Sequence, residues 1–123
     1  MLNLAFGLLC ATAVIGTVLA ILYARGPAAK SLPLIVPAAH GALGAASLIV
    51  LVLVLRRGLQ QNGMGTAGFG VIAGGLLALA LFVGMLLARA AWQRRRPHAM
   101  LVGAHASLAV AGLVMLLALV ALD

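Results

Sequence analysis

The chain alternates between long uncharged runs and short basic interruptions. The uncharged runs extend over Met1 to Ala24, Ser31 to Leu55, Leu59 to Ala88 and Pro97 to Leu122. Each is longer than the roughly 20 residues an α-helix needs to cross the hydrocarbon of a bilayer. The pattern predicts four transmembrane helices, approximately over residues 2–23, 34–55, 67–90 and 98–122, in a single domain covering 1–123. Short connections make consecutive helices antiparallel, so the expected fold class is an all-α integral membrane protein, an up-down four-helix bundle.

Composition supports this reading. Hydrophobic residues make up 66% of the chain and charged residues 7%, against about 25% charged in soluble domains. The lipid bilayer is therefore the first expected partner. The first run lacks a basic leading region and outlasts the apolar stretch of a signal peptide, so it is expected to remain a span. Cys10 is the only cysteine, which rules out an internal disulfide and favours a packing role.

The formal net charge of +7 has a topological explanation and calls for no nucleic acid partner. Loop one carries Arg25 and Lys30, loop two Arg56 and Arg57, and loop three Arg89, Arg94, Arg95 and Arg96. The positive-inside rule then places loops one and three in the cytoplasm and both termini outside, in a bacterial inner membrane. Tyr23 and Trp92 fall at the expected cytoplasmic ends of helices one and three, where amphipathic rings favour the interface.

The two halves resemble each other at an offset near 65. The stretch from Leu22, LYARGPAAKSLPLIVPAAHGALGAASLIVLVLVL, lies over that from Leu86, LLARAAWQRRRPHAMLVGAHASLAVAGLVMLLALVAL, with a one-residue shift in the loop. His40 falls on His105, and the alanine before each histidine and the leucines three and eight positions after it coincide. Alanine and leucine are common enough here for chance similarity to compete. A duplicated helix pair is the favoured reading; helices two and four then run parallel and both histidines lie at one depth, about 9 Å into the hydrocarbon.

An ionisable side chain inside a span is costly and normally faces the bundle interior, paired or functional. The only acidic residue is Asp123, at the end of the chain, so no buried carboxylate is expected to pair with these histidines. A neutral imidazole can bind a metal through one nitrogen and donate from the other. His40 and His105, on separate helices at matched depth, are therefore candidate axial ligands of a haem iron.

A flat macrocycle between helices would need small residues on the same faces. From His40 the face continues through Gly44 and Ser47, and from His105 through Ala109 and Gly112. Close helix packing explains small residues equally well. For the second nitrogen of each imidazole, Ser47 and Ser107 are nearby, and the carbonyls of Val36 and Leu101 are the favoured acceptors.

Other candidates have simpler explanations. His98, just after Pro97, suits a polar residue opening the fourth helix, with haem propionates or protons at a quinone edge as the sharper alternative. Arg94, Arg95 and Arg96 are accounted for by topology, and guanidinium pairing with propionates is a second use. The methionines could suggest copper, but they share no spacing with the histidines. Gly68, Gly70, Gly74, Gly75 and Gly84 on the third helix suit close packing against a neighbouring helix or another copy, giving a homo- or hetero-oligomer.

With His40 in PAAHGALG and His105 in VGAHASLA, the chain resembles the small four-helix transmembrane b-type cytochromes. That resemblance implies one haem b per chain, held by both histidines, and electron transport with quinone or another redox partner. The diheme members of the class use four ligating histidines; this chain has one aligned pair, like a monohaem version. Two rivals come from other classes. A small multidrug-type transporter needs a membrane-embedded glutamate, and the chain has none. A non-catalytic accessory or assembly subunit needs no cofactor and would use the histidines as polar contacts between helices.

Overall fold

Inside a bilayer a backbone must satisfy its own hydrogen bonds, so uninterrupted runs of Leu, Ala and Val become helices. The computed structural model describes residues 1–25, 35–62, 67–93, 95 and 98–122. It consists of α1 (Leu2–Ala24), α2 (Ile35–Asn62), α3 (Ala67–Trp92) and α4 (Ala99–Leu122). All four are long and apolar enough to cross a membrane, and the protein is an integral membrane four-helix bundle. Pro37 falls in the first turn of α2, where its missing N–H breaks no helical bond.

The second helix runs past its expected end. It continues through Arg56 and Arg57 to Asn62, because charge ends a membrane span without ending a helix. Neither proline nor glycine intervenes before Gly58, and a single glycine inside a helix costs only about 1 kcal/mol.

Short connections make α1 and α2, α2 and α3, and α3 and α4 neighbours, and α1 closes the ring against α4. Among the described residues α2 and α4 make no direct backbone approach, and neither do α1 and α3. The histidine-bearing helices thus lie diagonally across the bundle, not side by side. The α3–α4 contact is the most extensive and the α1–α4 contact the least.

Each helix turns one seam inward, with alternating spacings of four and three residues. The seams are Ala5, Leu9, Thr12, Gly16 and Leu19 on α1, and Ala73, Leu77, Ala80, Gly84 and Leu87 on α3. On α2 and α4 they are His40, Gly44, Ser47 and Leu51, and His105, Ala109, Gly112 and Leu116. This spacing is the one that packs helices at shallow left-handed crossing angles.

The closed core occupies one end. Ala5, Leu9, Leu51, Ala73, Leu77, Leu116 and Leu119 form it, with Leu2, Phe6, Leu48, Val50, Leu55, Leu113 and Met115 packed around. All of these lie toward the end that carries the two termini and the α2–α3 connection. Glycine permits the close approach there: a Cβ at Gly112 would come within 2.7 Å of Leu77 Cγ and 3.3 Å of the Ala73 carbonyl oxygen, and one at Gly70 would meet the end of the Leu55 side chain. Gly7, Gly68 and Gly75 meet nothing within 4 Å.

Candidate functional site

His40 and His105 meet in the middle of the bundle, with ring centroids 6.1 Å apart and ring planes at 77°. Both are half-buried. Parallel helices starting from the same end place them at one level, as the sequence comparison anticipates.

Their second partners differ from expectation. His40 Nδ1 lies 3.0 Å from the carbonyl oxygen of Thr12 on α1, and His105 Nδ1 lies 2.8 Å from that of Ala80 on α3. A carbonyl only accepts, so each Nδ1 donates, and a neutral ring keeps its lone pair on Nε2. The carbonyls of Val36 and Leu101 are not used, because reaching them would fold each ring back along its own helix instead of across to the neighbouring one. Ser47 Oγ donates to Leu43 of its own helix instead, at 2.6 Å, and Ser107 is exposed.

The histidines reach those carbonyls because glycine lies one turn beyond each acceptor. A Cβ at Gly16 would stand 2.7 Å from His40 Cε1, and one at Gly84 would stand 3.0 Å from His105 Cε1. Thr12 with Gly16, and Ala80 with Gly84, therefore form two equivalent notches, each holding one imidazole edge.

These notches reveal a register that the sequence comparison missed. The offset of 65 holds for α2 and α4, where Ser47 corresponds to Gly112 and Leu51 to Leu116, but α1 and α3 correspond at 68. At that offset AFGLLCATAVIGTVLA, from Ala5, lies over AGGLLALALFVGMLLA, from Ala73. The identities are Ala5/Ala73, Gly7/Gly75, Leu8/Leu76, Leu9/Leu77, Gly16/Gly84, Leu19/Leu87 and Ala20/Ala88. The signal was present in the sequence, but carrying one alignment through the first loop put it out of phase. Thr12, Gly16, Ala80 and Gly84 are accordingly the site residues that sequence reasoning did not find.

The remaining predicted positions divide clearly. Gly44, Ser47, Ala109 and Gly112 do line the inward seam with the histidines. Gly44 lies where a Cβ would meet Thr12 Cγ2 at 3.4 Å, and Gly112 is packed against Leu77 and Ala73, so both also serve helix contact. His98 and Arg95 are exposed near the start of α4, away from the imidazole pair. Arg94 and Arg96 lie outside the described residues. Among the described residues no three His, Cys, Asp or Glu side chains cluster.

No family model matches the chain, and neither a curated protein nor a solved structure does.

Proposed function

We propose that the protein binds one haem b through His40 and His105 and serves as an electron-transfer protein of the membrane. The observation that carries this reading is the imidazole pair itself: two rings 6.1 Å apart, each with Nδ1 committed to a carbonyl and Nε2 left over. A metal between two opposed imidazoles, with metal–nitrogen bonds of about 2.0–2.1 Å and each nitrogen roughly 1.1 Å from its ring centre, separates the ring centres by about 6 Å. A tetrahedral angle at the metal would bring them to roughly 5 Å.

The donor set points the same way. Two histidines cannot complete a four-ligand protein site, whereas a porphyrin brings four nitrogens of its own and needs only axial ligands. Nδ1–H donation to a backbone carbonyl fixes the tautomer and ring orientation and raises the basicity of the ligating nitrogen. Haem, when bound, supplies one-electron chemistry. The helices hold the two rings, and the apolar core at the terminal end excludes water from one side of the site.

With loops one and three in the cytoplasm, the site stands nearer that face. A quinone or another small redox partner within the membrane is the expected exchange partner.

A second reading uses the same hydrogen bonds differently. His40 ties α2 to α1 and His105 ties α4 to α3, which would suffice for a non-catalytic subunit of a larger complex. That reading explains the Nδ1 contacts, and the rings at 6.1 Å and 77° then pack edge to face as neighbouring rings do, but it gives the Nε2 lone pairs no use.

Haemin titration of the purified protein, followed by absorbance, separates the two. One equivalent should saturate a Soret band that is missing from both His40→Ala and His105→Ala. A wild-type protein that stays colourless, or a band that survives both substitutions, would refute haem ligation by this pair.

A further inference from the structure

Along the seam between α1 and α4, the least extensive of the four, lies a groove of about 390 Å³ on the outside of the bundle. Cys10, Ala13, Val14, Thr17 and Val18 line it on α1, and Leu113 lines it on α4. Val14 and Val18 are exposed, so the groove faces lipid. The repeat shows why space opens here. At the offset of 68, Ala13, Val14, Thr17 and Val18 correspond on α3 to Leu81, Phe82, Met85 and Leu86, each larger, and α3 makes the more extensive seam with α2.

The groove suits hydrocarbon. Thr17 contributes its only hydroxyl, and that donates to the Ala13 carbonyl at 2.9 Å, leaving no donor for a polar ligand. A second copy of the chain fits poorly. A helix with side chains is about 10–12 Å across, so over the roughly 12 Å from Cys10 to Val18 it would need on the order of 900 Å³.

Charge selects the kind of lipid. Arg25 caps α1 and Arg95 lies just before α4, both exposed, at the loop end of the bundle where the α1–α2 and α3–α4 connections lie. Residues 1–122 contain no acidic side chain to pair with them. From Arg25 to Cys10 the helix rises about 22 Å, half of the roughly 40–45 Å that a bilayer spans with its headgroups. One leaflet's lipid thus reaches from the guanidinium to the groove.

We infer that the α1–α4 groove holds an acyl chain of an anionic phospholipid whose phosphate pairs with Arg25. Arginine suits phosphate through charge-assisted, bidentate hydrogen bonds, and basic side chains at a membrane surface favour anionic lipids. This site lies on the outer face of α1, opposite the side that holds His40, and is independent of the haem reading.

Native mass spectrometry of the delipidated full chain tests it, with palmitoyl-oleoyl phosphatidylglycerol and phosphatidylcholine as probes that share chains and differ in headgroup. Ala13→Leu with Thr17→Met fills the groove with the side chains α3 carries at the corresponding positions. Arg25→Gln removes the charge without touching helix packing, and Ala78→Leu, on the exposed face of α3, is the control. Each variant is first checked for a wild-type helical spectrum and a monodisperse elution profile.

The wild type and Ala78→Leu should retain one phosphatidylglycerol per chain, at least tenfold more than phosphatidylcholine. The filled variant should lose that retention at least tenfold, and Arg25→Gln should bring the two lipids to within about threefold of each other. Equal retention of both lipids by the wild type would overturn the proposal, as would full retention by the filled variant or an undiminished preference in Arg25→Gln. A dimer that the filled variant converts to monomer would also overturn it, by assigning the groove to a second copy.

Discussion

The terminal end and the loop end of the bundle are built on the same four seams, yet among the described residues only the terminal end closes into a buried core. At the terminal end leucines meet across the axis and glycine lets neighbouring helices approach, as with Leu77 against Gly112 and Leu55 against Gly70. At the loop end the seam positions are Gly16, Leu19, Gly84 and Leu87 with the two imidazoles, and no described residue is buried past the rings. In lipid, apolar surface alone does not draw helices together, and association depends on packing and interhelical hydrogen bonds. The terminal end uses packing. The histidine level uses two hydrogen bonds from imidazole to carbonyl.

The contrast can be broken most severely at the histidines. His40→Ala or His105→Ala should abolish six-coordinate haem binding altogether, read as loss of the Soret band in the haemin titration, while Cys10→Ala retains it. Next comes the closed end. Leu51→Ala or Leu116→Ala should lower unfolding stability in detergent by about 2 kcal/mol, the low end of core truncations because lipid offsets the transfer term. The matched loop-end change, Leu19→Ala or Leu87→Ala, should stay within about 0.5 kcal/mol, and equal losses at the two ends would remove the distinction. Smaller again is the effect of filling a notch. Gly16→Ala puts a Cβ 2.7 Å from His40 Cε1 and so forces the ring to shift, at about 1 kcal/mol, so haemin affinity should fall by roughly fivefold. Gly84→Ala should cost less than Gly16→Ala, because its Cβ would stand farther from the ring. The smallest effect belongs to Ser47→Ala, which removes a hydroxyl bonded only to its own helix and should shift thermal unfolding by less than either leucine truncation.

The number of helices was legible in the sequence because charge and length alone delimit a membrane span. The faces were not legible from hydrophobicity, since residues on both the inner and lipid sides are Leu, Val and Ala. What marks the inner face is the small and polar residues at spacings of four and three: His40, Gly44 and Ser47 on α2 could be read in this way, and so could His105, Ala109 and Gly112 on α4. The facing notches were harder to find. Thr12 and Ala80 act through backbone carbonyls, which no side chain advertises, and Gly16 and Gly84 look like any other glycine until the ring they accommodate is known. The diagonal placement of α2 and α4 follows from short connections closing four helices into a ring.

On the proposed function, His40 and His105 are the two axial ligands of one iron. The most direct measurement is the absorption spectrum of the haem-loaded protein, oxidised and then reduced, with carbon monoxide added to the reduced form. Ligation by both imidazoles should give a low-spin six-coordinate spectrum in both states, with sharp alpha and beta bands on reduction that carbon monoxide leaves in place. A colourless protein would rule out that ligation, and so would a five-coordinate spectrum that shifts at once on adding the gas.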